Sequence, residues 1–379
     1  MVRLPTFHAA VALVLAACLA CPPARALVTF NDGKEHIYVT ATATVAIDSN
    51  IRARAGGGGD TIYSAGVLAE YTRRAGLIGV NGSVGLDLSR FVEHRDENFL
   101  NPRLTLEFDK ATGRTTGAIN LSAARENRAD PAANLRAQSW NYATGVNFKY
   151  PVIERYSFAG NLGYTSRVYD AQTGLSDLRT YVAGADLLYA LSSERDLLAG
   201  YRYRYSETST LTAFDDHSFT AGVTGRIIPH LNGSVRAGYQ VRRPHGATPE
   251  GDYRGLTASG AVIWSATKKF SLTGQLSRDV SVTANNLSVD TFSGGLDAQY
   301  VVSGRLSLFA TIGGGESRYL GLAANQRRDR FFTWGGGVNY TILPQLKATL
   351  AYHYFQNNST SSLSDYEQNL TTLALSSRW

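Results

Sequence analysis

The chain has 379 residues and a formal charge of +6, with 44% apolar and 18% charged residues, 37 Gly, 21 Tyr and one Met. Such a Gly- and Tyr-rich composition predicts one large all-β domain and argues against a helical protein. After residue 26 no apolar run approaches the roughly 18 residues a transmembrane helix needs, and the mildly basic balance lacks the concentrated patch of a nucleic-acid binder.

The first 26 residues form a segment apart. Arg3 supplies a positive start, Ala9 to Ala20 an apolar core, and Ala24-Arg25-Ala26 a small-x-small cleavage pattern, so residues 1–26 are read as a secretory signal peptide. Leu15-Ala16-Ala17-Cys18 also fits lipoprotein processing at Cys18, and the two alternatives stay open. Cleavage after Ala26 removes Cys18 and Cys21 together with Arg3 and Arg25. The mature chain then has no thiol, which suits an oxidising compartment and excludes disulfides, Cys-zinc sites and thiol catalysis.

In chain order, tight polar turns are predicted near residues 75, 112, 152, 193, 229, 267, 303 and 343, spaced by roughly 36 to 41 residues. Lys110-Ala111-Thr112-Gly113-Arg114, Ser192-Ser193-Glu194-Arg195, Thr267-Lys268-Lys269 and Val302-Ser303-Gly304-Arg305 carry the Gly, Ser and charged residues of hairpin corners. Longer polar connections are predicted near residues 50–60, 91–98, 126–136, 168–178, 206–217, 242–252, 279–289, 316–328 and 356–366. Alternation of short and long connections predicts an all-β, transmembrane antiparallel up-and-down β-barrel of about 18 strands. Short turns face the periplasm and longer loops the exterior, with both chain ends on the short-turn side. Residues 27–35 are read as a short periplasmic N-terminal segment and 36–379 as the barrel, integral to a bacterial outer membrane.

The strands alternate with period two. Leu197, Ala199, Tyr201, Tyr203 and Tyr205 share one face, and Gly200, Arg202, Arg204 and Ser206 the other. A soluble sandwich also alternates, so the face assignment carries the case. A lipid-facing Arg at mid-membrane costs about 2–4 kcal/mol, which sends Arg202 and Arg204 inward and the tyrosines outward. Outward aromatics then gather at the strand ends as interfacial belts. Tyr150, Tyr156, Tyr189, Trp264, Tyr300 and Tyr340 lie beside the turns, and Trp140, Tyr205, Phe332 and Trp334 nearer the loops. Leu373, Leu375 and Trp379 share a face on the final strand and resemble the C-terminal targeting signal of outer-membrane proteins, with Ser377 interrupting the apolar alternation.

The strand running into Ile47-Asp48-Ser49-Asn50-Ile51, a second one opening with Tyr63 to Tyr71, the regular hairpin period and the aromatic end Trp379 resemble the putative beta-barrel porin 2 family over nearly the whole mature chain. The resemblance implies an outer-membrane channel and an association with exopolysaccharide export. Periplasmic polysaccharide-export components are partners it implies. Outer-membrane lipid and lipopolysaccharide and the barrel-assembly machinery are the other partners expected of such a barrel.

Within the lumen, lined also by Gln240, basic residues are expected to concentrate on neighbouring strands, with Arg167, Arg202, Arg204, Arg236 and Arg242, opposite the acids Glu70, Asp87, Glu107 and Asp109, although Arg103 lies among the acids and Asp186 among the basic group. Opposed arcs of charge would set a transverse field that favours anionic or polyhydroxylated solutes. The bland alternative is that these charges pair across strands and only keep the lumen wet. The loops look too short for an infolded constriction, inward aromatics look scarce, and too few residues precede the first strand to form a plug. Asp215-Asp216-His217, placed in an outer loop, could activate water, but a second acidic pair is missing. His353 faces inward, away from lipid. The Gly56 to Gly59 run reads as a flexible connection. No catalytic residue, metal site or cofactor is therefore expected, and no enzyme. The function expected is passage of an exopolysaccharide or other surface polymer through an Arg-weighted lumen; the alternative is a general diffusion porin or a closed structural barrel.

Overall fold

The computed structural model describes residues 27–379 except 75, 171–172, 211, 246–250 and 322–326. Both processing alternatives, at Ala26 and Cys18, lie outside the described residues. A short β1 (Val28–Phe30) precedes eighteen long strands: β2 (Glu35–Asp48), β3 (Asp60–Arg73), β4 (Gly79–Phe91), β5 (Phe99–Lys110), β6 (Thr116–Asp130), β7 (Leu135–Ile153), β8 (Tyr156–Tyr169), β9 (Leu178–Ser192), β10 (Arg195–Thr208), β11 (Ala213–Ile228), β12 (Leu231–His245), β13 (Tyr253–Trp264), β14 (Phe270–Val282), β15 (Ser288–Val301), β16 (Leu306–Leu320), β17 (Arg328–Leu343), β18 (Leu346–Ser359) and β19 (Tyr366–Arg378).

Each long strand pairs antiparallel with its chain neighbours, and β19 returns to β2, with Leu370 opposite Asp48 and Arg378 opposite Thr40. Closure removes the open edges that hydrocarbon cannot satisfy. Val39 and Trp379 exchange both backbone hydrogen bonds at 2.9 Å. Past that point β19 has ended, and β1 takes its lane, pairing Val28 to Phe30 with Ile37 to Glu35. The segment 27–35 is thereby tied to the wall.

Corners of two residues, Glu154-Arg155, Ser193-Glu194, Pro229-His230 and Pro344-Gln345, lie where short turns are predicted. Loops are shorter than predicted. β6 and β7 leave only residues 131–134 between them, and much of 206–217, 279–289 and 316–328 is strand. A span needs about 9–11 residues, whereas these strands run to 12–19. Their polar upper ends go on pairing beyond the membrane, so a polar sequence there reads as loop while the backbone stays in the sheet.

The outer face is what only lipid tolerates: Phe219 is 61% and Leu256 64% exposed, amid a continuous apolar band. Near the turns, Tyr156 and Tyr189 touch at 5.1 Å, Trp264 meets Phe270 edge-on at 6.5 Å, and Tyr300 opposes Phe270, with Tyr150 and Tyr340 at the same end. Trp140, Tyr205, Phe332 and Trp334 lie toward the loops. Leu373 is half exposed on the outer face of β19, and Leu375 follows with the same parity.

Candidate functional site

Alternation fills the inner wall with Ser, Thr, Asn and Gly. On one side Glu70, Asn81, Ser83, Thr105, Glu107, Asn120 and Ser122 line a recess in the wall of β3 to β6. Opposite, Gln275, Ser277, Ser293, Thr311 and Thr333 line another beside Phe331. Inward rings are present, contrary to the sequence expectation. Phe331 and Phe355 stack at 6.2 Å, and Phe355 and Tyr366 at 5.5 Å, across β17, β18 and β19. Glycine on the adjoining strands makes room for Phe331 and for a further inward ring, Phe309. A Cβ at Gly315 would lie 2.6 Å from Phe331 Cζ, and one at Gly337 would lie 2.5 Å from Phe309 Cζ.

Toward the loops the wall divides. β13 and β14 pair only from Ala258 with Arg278 down to Trp264 with Leu272, while β14 stays paired with β15 up to Val282 with Ser288. Above the split the β14–β15 hairpin leans inward, across the inner faces of β10 to β12. Its freed edge is capped by arginines, since buried carbonyls need donors. Arg204 donates to Val280 O, and Arg242 donates to Ser281 O at 3.2 Å and to Ser288 Oγ at 2.9 Å.

Beneath these carbonyls lies a compact charge cluster. Arg242 grips Asp216 with two bonds, Nε to Oδ1 at 2.7 Å and Nη2 to Oδ2 at 2.8 Å, and Arg204 Nε adds a third at 2.8 Å. Arg204 Nη1 also meets Asp279 Oδ2 at 2.7 Å, and Arg202 Nη2 meets Asp279 Oδ1 at 3.0 Å. Oriented to satisfy both its ends, the Gln240 amide donates to Asp279 at 2.8 Å and accepts from Arg204 at 3.2 Å. Asp216 is fully buried, and Arg242 lies over the buried Phe214 ring with Cζ 4.8 Å from its centre. Charges this deep persist only when paired and hydrogen-bonded.

The hairpin tip then meets the opposite wall. Ala284 packs with Ala137 and Tyr169 against Leu135 and Leu175, and Asn286 Nδ2 donates to Ser176 Oγ at 3.0 Å. Asn285 Nδ2 reaches Ala132 O at 3.0 Å, although the β6–β7 turn stands eight strands away in the ring. Arg327 binds Ala132 O at 3.0 Å and Pro131 O at 2.7 Å, and Ser364 Oγ binds Asn134 Oδ1 at 2.8 Å. Arg136 joins the first loop to this group, binding Ile51 O at 2.9 Å. The loops thus meet over the mouth. No long loop was needed for this infolded constriction, because a strand pair supplies it by unzipping from its neighbour.

Several expectations change accordingly. The lumen is not Arg-weighted. Arg236 pairs with Asp186 (3.3 Å), Arg167 with Glu126 (3.7 Å), Arg103 with Asp87 (3.6 Å), and Glu70 with Arg378 (3.1 Å). A guanidinium on a half-buried wall gathers a carboxylate, so opposed arcs of unlike charge give way to local pairs. Glu107, Asp109, Asp297 and Lys347 share this inner face outside those pairs. Asp215-Asp216-His217 is strand, not loop, and its alternation separates the three: Asp216 turns inward, while Asp215 accepts from Tyr203 Oη at 2.6 Å and His217 meets Tyr201 Oη at 2.8 Å outside. His353 faces inward and bonds Thr333 Oγ1 at 2.7 Å. The Gly56 to Gly59 run is packed: Gly56 and Gly58 take positive φ of 65° and 73°, and Gly57 lies against Asn50. No length signal marks the constriction, but Val280 and Val282, alternating inside a supposed loop, are a signal that this stretch is strand.

A model of the putative beta-barrel porin 2 family matches residues 215–378. The family resemblance is shown there. In fold, the chain is similar to OccK2 (OpdF) of Pseudomonas aeruginosa, at 12% identity and TM-score 0.51, covering 93% of this chain and 99% of that one. OccK2 has also been solved in complex with glucuronate, with the same identity, coverage and score. OccAB2 of Acinetobacter baumannii is similar at 11% identity and TM-score 0.50, again over 93% and 99%. Among curated proteins nothing matches. In fold, the protein is a porin-like β-barrel.

Proposed function

We propose that this barrel is a diffusion channel for small polyhydroxylated solutes, of the sugar and sugar-acid class, and not a conduit for an intact polymer. One observation carries the reading: loops from opposite walls are hydrogen-bonded to each other across the extracellular mouth, Asn285 to Ala132 and Arg327 to Pro131. A small molecule needs only gaps between such loops. A polymer chain needs one continuous aperture, and opening it would break these ties together with the Arg204–Val280 cap.

The wall supports the same class of solute. Hydroxyl and amide side chains exchange hydrogen bonds with sugar hydroxyls at little net cost, and the stacked rings of Phe331 and Phe355 offer apolar faces to sugar C–H groups. Paired lumen charges leave little preference for anions. The glucuronate bound by OccK2 supplies a natural probe, since the two barrels share a fold.

Proteoliposome swelling with glucose, glucuronate and a series of longer oligosaccharides tests the proposal. Monosaccharides of both charges should enter, with rates falling steeply by the trisaccharide, and deletion of the gene should leave surface polysaccharide unchanged. Loss of surface polysaccharide on deletion, with no monosaccharide entry, would replace this reading by polymer export.

A further inference from the structure

The outer face of the barrel carries unbalanced charge in one sector. At the loop end of β14 to β17, the charged positions of outward parity are Arg278, Asp290, Glu316, Arg318, Arg328 and Arg330, of which Asp290 is buried behind β13 and also accepts from Tyr253 Oη at 3.0 Å. Arg318 stands opposite both Asp290 and Arg328, and Glu316 opposite Arg330, so they form one continuous grid. Five contacts join them: Arg278–Asp290 at 3.1 Å, Arg318–Asp290 at 3.7 Å, and Glu316 with Arg318, Arg328 and Arg330 at 3.3, 3.6 and 3.0 Å. Four guanidiniums share two carboxylates. Arg318, Arg328 and Arg330 nevertheless stay 45%, 47% and 67% exposed.

The height of the grid is set by the rings below it. Phe332 and Trp334 share the outward parity of Arg330 on β17, and Phe292 opposes Glu316. Aromatic rings of this kind mark the membrane interface. At about 3.3 Å per residue, Arg330 lies about 7 Å beyond Phe332 and Arg328 about 7 Å further, the level of lipid headgroups. On the far wall the outward charges close one to one, Arg179 with Glu207 at 3.6 Å and Arg125 with Asp170 at 3.3 Å.

From this grid we infer that the β14–β17 rim is a binding site for the phosphate groups of the phosphorylated glycolipid of the outer leaflet. Arg318, Arg328 and Arg330 hold the phosphates, while the acyl chains lie along Phe292, Phe332 and Trp334. Glu316 serves as a positioning residue that keeps the three guanidiniums side by side. Planar guanidinium forks fit phosphate bidentately, and basic clusters beside a membrane draw anionic lipid. The site does not depend on which solute the lumen passes.

Native mass spectrometry of the folded full-length barrel in micelles containing diphosphoryl lipid A tests this. The wild type should retain the lipid. The combined variant Arg318→Gln, Arg328→Gln, Arg330→Gln should bind at least tenfold more weakly, and Arg179→Gln as the wild type does. Dephosphorylated lipid A should lose a similar factor, and millimolar inorganic phosphate should not displace the lipid. Equal retention by the combined variant, or of the dephosphorylated lipid, would overturn the site. Displacement by inorganic phosphate would overturn the lipid as its occupant. If the combined variant does not reach the folded, heat-modifiable form, Arg330→Glu alone should weaken retention in the same direction, and unchanged retention there would equally overturn it.

Discussion

Arg242 and Arg330 both sit near the loop ends of their strands, on opposite faces of one wall, and have opposite surroundings. Arg242 is 1% exposed and bonds both oxygens of Asp216, two backbone carbonyls and Ser288. Arg330 is 67% exposed and shares Glu316 with two other arginines. The same side chain therefore does two different things. Buried, it must be saturated, and what saturates it is held in place; exposed, it can be left short of partners and remain open to an outside anion. The inner cluster is an internal clamp, and the outer one a surface for something else to bind.

Asp216→Asn puts the strongest strain on that contrast. It removes the carboxylate beneath two buried guanidiniums, and breaking such a pair costs about 3–5 kcal/mol. The expected outcome is a loosened β14–β15 tip: single-channel conductance in planar bilayers rises, and limited proteolysis newly cuts within residues 283–287. Wild-type conductance and cleavage would mean that the clamp does not hold the hairpin.

The architecture was legible because its signals are local. Hairpin corners announce themselves through Gly, Ser and charge, and Arg202 and Arg204 between tyrosines orient a whole strand. The constriction was not legible, because contacts such as Arg204 with Asp279 join residues far apart in the chain and arise where one strand pair stops pairing. Arg204, Gln240 and Arg242 could be placed on the inner face from alternation alone, but their role as caps on a freed sheet edge requires knowing where β14 goes. The inward rings were missed for a related reason. Phe331 and Phe309 look like ordinary strand aromatics until Gly315 and Gly337, each on the adjoining strand, show where a ring can lie.

Away from the clamp, Gly315→Val probes the ring strip. Its Cβ would meet Phe292 O at 2.2 Å and Phe331 Cζ at 2.6 Å, an overpacking that costs about 1–3 kcal/mol. The thermal midpoint of the folded barrel should fall, and monosaccharide entry should slow as the ring leaves the wall. Smaller still is Asn285→Ala, which deletes one neutral hydrogen bond across the mouth, worth about 0.5–1.5 kcal/mol. Brief openings in the current record should become more frequent, with the main conductance level unchanged; an unaltered record would show that this tie does not restrain the tip.

Arg330→Gln is the mildest change and bears most directly on the contrast. An exposed ion pair contributes about 0–1 kcal/mol, and Arg318 and Arg328 remain beside Glu316 in the variant. Stability in detergent should therefore move by less than the scatter of the measurement, and conductance should match the wild type at low and high salt. If conductance changed, the outer guanidiniums would be coupled to the lumen, and inner and outer clusters would have to be treated as one network through the wall. If neither property moved, a guanidinium that the folded barrel does not need for itself would be left free to serve an outside ligand.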